Sequence, residues 1–193
     1  MKNKSVSEIR KREISELALR LLSENGINRL TTATLSSELG LSEGTIFKYF
    51  SNKKEIIDTA ILRAEEKMFE DFPPSDPNPI DKLGVFFTNR AYTAIKCPGM
   101  VKMIQSEQLA YSASEEGIRR LAKMKAKSVN FIKNTLSDAL KMGLLTDEIS
   151  INALTFIIFS SIASLANIGD GFLSSSDETV ESIWTNIKTL ISK

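Results

Sequence analysis

Histidine is absent from the 193 residues, and cysteine occurs once, at Cys97. These scarcities remove the commonest general acid–base group and a common nucleophile, and no P-loop or GxSxG motif takes their place. An enzyme is therefore not expected, nor a bound cofactor, nor a metal site, whose structural form draws on Cys and His clusters. A lone cysteine cannot close an intramolecular disulfide, and no apolar segment follows the charged start. A secretory signal is thus not expected, and the cytoplasm is the expected compartment. Proline is scarce and unevenly placed, because four of five fall in Phe72-Pro73-Pro74-Ser75-Asp76-Pro77-Asn78-Pro79, which breaks the chain. Net charge is nearly missing as well, at +1, which by itself suggests no polyanionic partner.

What the chain does have is helix signal. With 42% hydrophobic and 25% charged residues it has a globular make-up, sufficient for one sizeable domain or two small ones. Alternating β-branched runs are few and helix starts are many. Ser5 to Glu8, Asn52 to Glu55, Ser112 to Glu115 and Ser175 to Glu178 have capping-box spacing, and Asn78-Pro79 sets proline at a first helical position. The expectation is an all-α chain of about nine helices.

The densest signal runs from Thr31 to Lys53. A helix opening at Thr31 or Thr32 presents Leu35 and Leu39 on one face, and Gly40 stops it, since glycine takes positive φ without steric cost. Ser42 restarts the chain as the next N-cap. Two short helices about a tight turn form a helix-turn-helix, whose second helix lies in the major groove with its N-terminal residues against base edges. Here those residues are Glu43, Gly44 and Thr45. Leu35, Leu39, Leu41, Ile46 and Phe50 are read as core. Lys48 stands where a buried face would carry an apolar side chain, so it is assigned to base or phosphate. Lys53 follows the cap Asn52 in a helix first turn, where a cation opposes the macrodipole, and a phosphate would offset that cost. Tyr49 reads equally well as a half-buried packing residue with a wet hydroxyl or as a phosphate ligand.

The run Thr32, Leu35, Gly40, Ser42, Gly44-Thr45-Ile46-Phe47, Tyr49-Phe50 and Lys53 resembles the N-terminal domain of TetR/AcrR-type transcriptional regulators. The likeness spans Ile14 to Ile57 and takes in an upstream amphipathic helix with Ile14, Leu17, Ala18, Leu21 and Leu22 on one side, closed by Gly26. It implies a three-helix DNA-binding domain over residues 1–52 and an effector-binding and dimerisation domain over 53–193. Ser36 and Leu39 stand where the family usually has alanine, and Phe47 where it has a tyrosine that commonly touches a DNA phosphate. Phenylalanine cannot donate a hydrogen bond, so that role passes to Tyr49 or is absent. The remaining two thirds of the chain carry only a matching helical layout.

Charge is split along the chain. Residues 1–54 hold ten Lys/Arg against six Asp/Glu, or +4, and residues 55–193 hold fifteen against eighteen, or −3. Lys2, Lys4, Arg10, Lys11 and Arg12 read as a basic arm able to lie along phosphates or enter a minor groove, although Lys2 and Lys4 fit a solvated tail equally well.

Beyond the proline segment, helices are expected over Ile80 to Lys96, Pro98 to Tyr111 and Glu115 to Met142. The last is amphipathic through Ile118, Ala122, Val129, Ile132, Leu136 and Leu140, and its lysines and arginines read as a solvated face. From Ile149 to Gly169 there is no charge, yet scattered Asn, Ser and Thr and the lack of an interface belt argue for a buried helix over a membrane span.

A final helix, about Asp177 to Ile191, carries Val180, Ile183, Trp184, Ile187, Leu190 and Ile191 as a stripe. The resemblance implies that this helix and its predecessor close a four-helix bundle with a second copy through Phe156, Ser160, Ile183, Trp184 and Ile187. A homodimer then sets two reading helices on a pseudo-palindromic double-stranded operator.

The middle helices hold more aromatic and methionine residues than a minimal core needs. Phe69, Phe86, Phe87, Tyr92, Met103, Tyr111 and Phe131, with Glu107 and Gln108 as polar groups, are the candidates for an effector site, against plain core packing. The resemblance implies repression relieved by a small apolar or amphipathic effector. The alternative is a dimeric DNA-binding protein whose body contacts a protein partner and takes no small molecule.

Overall fold

The structure, a computed structural model, describes residues 6–146, 150–175 and 179–193, with the side chains of 168–175 left aside. Among the described residues it is all-α with ten helices: α1 Val6–Asn25, α2 Thr32–Leu39, α3 Glu43–Tyr49, α4 Lys53–Met68, α5 Pro79–Lys96, α6 Pro98–Gln105, α7 Glu107–Ser112, α8 Glu115–Lys141, α9 Ile151–Ser175 and α10 Val180–Ile191. A short 3-10 turn, Ile27–Arg29, links α1 to α2.

The helices gather into two compact units, one of Met1–Lys67 with Gly99–Lys123 and one of Met68–Pro98 with Met124–Lys193. This division differs from the cut expected after residue 52, and α4 explains why. It buries Ile56, Ile57, Ala60, Ile61 and Ala64, and its polar face is tied within the first unit. The Asp58 carboxylate accepts the backbone N–H of Ser114 at 3.1 Å, and Glu65 pairs with Arg120 at 2.5 Å. A helix held at several points belongs to the body it packs with, whatever its sequence position.

Two helix boundaries also depart from expectation. Pro98 to Tyr111 is two helices, because Ser106 breaks the run: its hydroxyl accepts Leu109 N–H at 3.4 Å while its own N–H donates to the Met103 carbonyl at 3.0 Å. A serine side chain offers the backbone this alternative to a continuous helix. The cap of α8 is Ser114, which accepts from Glu116 and Gly117 N–H, in place of Ser112. The capping boxes expected at Ser5 and across Ser175 to Glu178 fall wholly or partly outside the described residues, and α10 is capped instead by Thr179 and Ser182 reciprocally.

In the second unit α5 is the shared partner of α9 and α10. Gly84 permits one crossing, since a Cβ there would lie 2.5 Å from Trp184 Nε1, and Phe87 stacks on that indole at 5.5 Å between centroids. The buried stripe of α8 runs through Met124, Ser128, Ile132, Thr135, Leu136 and Ala139, so Ile118, Ala122 and Leu140, expected inside, are exposed. Among the described residues no helix is long and apolar enough to cross a membrane.

Candidate nucleic-acid interface

The reading head is built by caps and one left-handed glycine. Thr31 caps α2 by accepting Thr34 N–H at 3.0 Å. Gly40 stops the helix at φ 64°, and Leu41 N–H then bonds the Ser36 carbonyl at 2.8 Å, which closes the turn. Ser42 caps α3 through Thr45 N–H at 3.2 Å. Leu35, Ile46 and Phe50 are fully buried, whereas Leu39 and Leu41, also expected in the core, are half-buried at the rim of the turn. Each cap satisfies one first-turn amide of its helix.

With Ile46 and Phe50 anchored, the opposite face of α3 is solvent-facing. Glu43, Gly44, Phe47 and Lys48 are exposed, and Thr45 and Tyr49 half-buried. Glu43 is oriented by Thr32, whose hydroxyl donates to its carboxylate at 2.5 Å, so the two helix starts are coupled across the turn. Lys48 and the Tyr49 hydroxyl have no hydrogen-bond or ion-pair partner among the described residues. Gly44 is informative for what it does not touch: a Cβ there would meet only Ser42 Oγ, at 3.9 Å. Packing inside the chain does not require glycine at that helical position, whereas close approach of an external backbone would.

Lys53 at the start of α4 is exposed and donates to the Ile27 carbonyl at 3.3 Å, so the internal acceptor meets part of the need assigned to an outside anion. Two of its three donors stay free for phosphate. The α4 start is held by Asn52, which accepts Glu55 N–H, and by Glu55, which accepts Ser51 N–H at 2.7 Å and pairs with Lys11 at 3.4 Å. These bonds, chiefly the one from Ser51, hold the Glu55 carboxyl below its ordinary range.

The basic arm is shorter than expected. Arg10, Lys11 and Arg12 lie within α1 and pair with Glu13, Glu55 and Glu16 respectively, so acids of the same head already neutralise them. Lys2 and Lys4 lie outside the described residues.

The expected effector residues fall in both units. In the first unit Met103 is buried, and Glu107 and Tyr111 line an open groove of about 520 Å³ with Lys54 and Ile118, while Gln108 is exposed elsewhere on α7. In the second unit Phe69, Phe86 and Phe131 pack with Phe72 in one edge-to-face cluster. Phe87 is stacked under Trp184, and Tyr92 is exposed with its hydroxyl on Glu181. Nor are the dimer residues uniform. Phe156 is 72% exposed and Ser160, Ile183 and Ile187 are partly so, but Trp184, at 8%, is spent on the core of its own chain.

Two side chains were missed by pattern reading. Arg90 is 7% exposed, its guanidinium 4.3 Å from the Phe69 ring centroid and 5.2 Å from that of Phe86. Lys127 lies 4.0 Å from Phe69 and 4.6 Å from Phe72. The signal was present for Arg90, which falls on the same stripe as Leu83, Phe86, Phe87 and Ala94.

Comparison with known proteins bears on this head first. The profile described as bacterial regulatory proteins, tetR family, matches residues 14–60. The nucleoid occlusion factor SlmA of Haemophilus ducreyi is 25% identical over 195 residues, covering 98% of this chain and 96% of that protein. Its counterpart in Actinobacillus pleuropneumoniae is 38% identical, but over 69 residues that make up 34% of its length. Among solved structures, the ketosteroid transcriptional regulator KstR2 of Mycobacterium tuberculosis aligns at TM-score 0.73 and 17% identity, over 95% of each chain. AibR, solved with isovaleryl coenzyme A and operator DNA, aligns at TM-score 0.73 and 16% identity, over 94% of this chain and 97% of that one. At such identities the structural likeness speaks for the fold.

Proposed function

Because this chain belongs to the tetR family of bacterial regulatory proteins, whose members are DNA-binding regulators, we propose that it acts as a homodimer on a pseudo-palindromic operator and represses until a small apolar or amphipathic effector releases it. The observation that carries the reading is the division of α3, which with its C-cap buries Ile46 and Phe50 completely and leaves Glu43, Gly44, Phe47 and Lys48 to solvent. Glu43 can accept from a cytosine amino group, Lys48 can donate to guanine or phosphate, and Thr31, Thr32, Ser42, Thr45, Tyr49 and Lys53 border the same surface. The expected compartment is the cytoplasm, where the operator is.

Release works through population shift. An effector that prefers the dimer shape with mis-spaced recognition helices by about 2.8 kcal/mol lowers operator affinity by at most roughly a hundredfold. The test is recovery of genomic fragments by the purified protein at low salt, followed by titration of the recovered duplex. A shared inverted repeat bound with a steep salt dependence is the expected result; uniform weak binding to every duplex would remove the sequence-specific reading.

A second reading keeps the DNA-binding dimer and gives the body a protein partner. Favouring it is the near full-length likeness to a nucleoid occlusion factor. Operator binding indifferent to every small molecule, with a protein retained on the DNA-bound dimer, is its expected signature.

A further inference from the structure

Arg90 is a buried cation without an acid. Among the described residues no carboxylate pairs with it and no acceptor takes a hydrogen bond from it, although 93% of its surface is covered. Burial alone pushes its pKa down, to about 10, so the guanidinium remains charged at neutral pH. Its nitrogens are unpartnered yet not sealed from solvent, and a charge so largely enclosed is ordinarily paired. Both rings lie within cation–π distance of the guanidinium, Phe69 the nearer. The guanidinium N–H donors lie in the plane, at the edge, and that edge is the part that recognises a carboxylate or phosphate in bidentate fashion.

The surroundings specify the rest of the occupant. Phe69, Phe72, Phe86 and Phe131 form one apolar cluster, and Phe69, Phe72 and Phe131 are only half-buried, so the cluster reaches the surface. At that margin Lys127 sits over Phe69 and Phe72, a second positive charge beside the first. Two cations already occupy the ring faces, which excludes a cationic ligand by repulsion and by competition for the same π surfaces.

We infer that the second unit binds an amphipathic anion, with an apolar chain among these phenylalanines and a carboxylate or phosphate head on the edge of Arg90, Lys127 adding charge at the rim. This rests on the effector reading above and narrows it to one class of ligand.

The full-length protein would be titrated calorimetrically, without DNA, with decanoate, decyl phosphate, decanol and decyltrimethylammonium, and again as Arg90→Met and Arg90→Lys. Methionine fills similar volume without charge, and replacement of a buried charge by an apolar group is commonly neutral or stabilising, so a folded variant with an unchanged thermal midpoint is expected. The anions should bind at least tenfold more tightly than decanol, and the ammonium not at all. Arg90→Met should erase the anion preference while retaining decanol, and Arg90→Lys should keep part of it. Whichever of decanoate and decyl phosphate binds more tightly tells a carboxylate effector from a phosphate-bearing one. Decanol equal to the anions, or a preference unchanged in Arg90→Met, overturns the anion assignment alone; no binding by any of the four overturns it together with the effector reading.

Discussion

Lys53 and Lys48 carry the same charge, and their surroundings favour different proposed roles. Lys53 is steadied by the Ile27 carbonyl at 3.3 Å, and the role proposed for that fixed charge is contact with a DNA phosphate. Lys53→Ala should weaken binding to all duplexes alike and lower the slope of log affinity against log salt by about 0.9 per half-site, the value of one phosphate contact. Lys48 is unsupported and projects from the exposed face of α3. Lys48→Ala should change the preferred operator sequence, read by selection from a random duplex pool, with a smaller change in salt slope.

Glu55 is a case at the same scale in which charge serves the fold. Its carboxyl is held below the ordinary value of 4.5, first by the Ser51 N–H and then by Lys11. A carboxyl with a depressed folded-state pKa contributes stability that is complete above the unfolded value and lost as pH falls through the folded one. Glu55→Gln should therefore lower the thermal midpoint near neutral pH, by the equivalent of about 0.5–1 kcal/mol for a partly exposed cap. The gap between variant and wild type should narrow as pH falls below the ordinary value of 4.5 and close below the depressed folded-state one. A gap that persists into acid would show that shape, not charge, holds the α4 start.

At the scale of the element, α3 carries a residue that its own stability does not favour. Glycine in a helix interior costs about 0.5–1 kcal/mol relative to alanine, and at Gly44 the space for a methyl group is open. Gly44→Ala should raise the thermal midpoint and weaken operator binding, since the added methyl stands between α3 and the duplex. Were operator affinity unchanged, the glycine would have no role at the DNA surface.

Elements also show what one sequence discloses. Thr31, Gly40 and Ser42 were legible because caps and a positive-φ stop act through neighbours two to four residues away. The two buried anchors of α3, Ile46 and Phe50, were legible for the same reason, being spaced one helical turn apart. The break at Ser106 and the cap at Ser114 were not, because several serines nearby have equal local credentials and tertiary bonds choose among them. Arg10 to Arg12 looked like a free arm until α1 set acids one turn away and Lys11 found Glu55, a partner 44 residues distant. Arg90 was passed over because a periodic reading treats arginine as solvent-facing, although its stripe was apolar. The effector set spans both units for a related cause: aromatic content marks buried surface without saying which residues share it.

At the scale of the whole molecule the partner we propose first is a second copy. Phe156 at 72% exposure and Leu190 at 74% are large apolar side chains left in water by a single chain, and such residues on α9 and α10 mark an association surface. Trp184 is already consumed by Phe87 and Gly84, so the face proposed for association is Phe156, Ile157, Ile183, Ile187 and Leu190. A closed two-fold pair is the simplest assembly that presents α3 twice, and the second half-site then binds at high effective concentration. Phe156→Lys with Leu190→Lys should yield a monomer by sedimentation equilibrium. Its thermal midpoint at low concentration should match that of dissociated wild type, since neither side chain is buried within one chain. Operator affinity should fall at least tenfold, about 1.4 kcal/mol, while affinity for a single half-site stays the same. A variant that sediments as a dimer and keeps full operator affinity would place the association surface elsewhere on the chain.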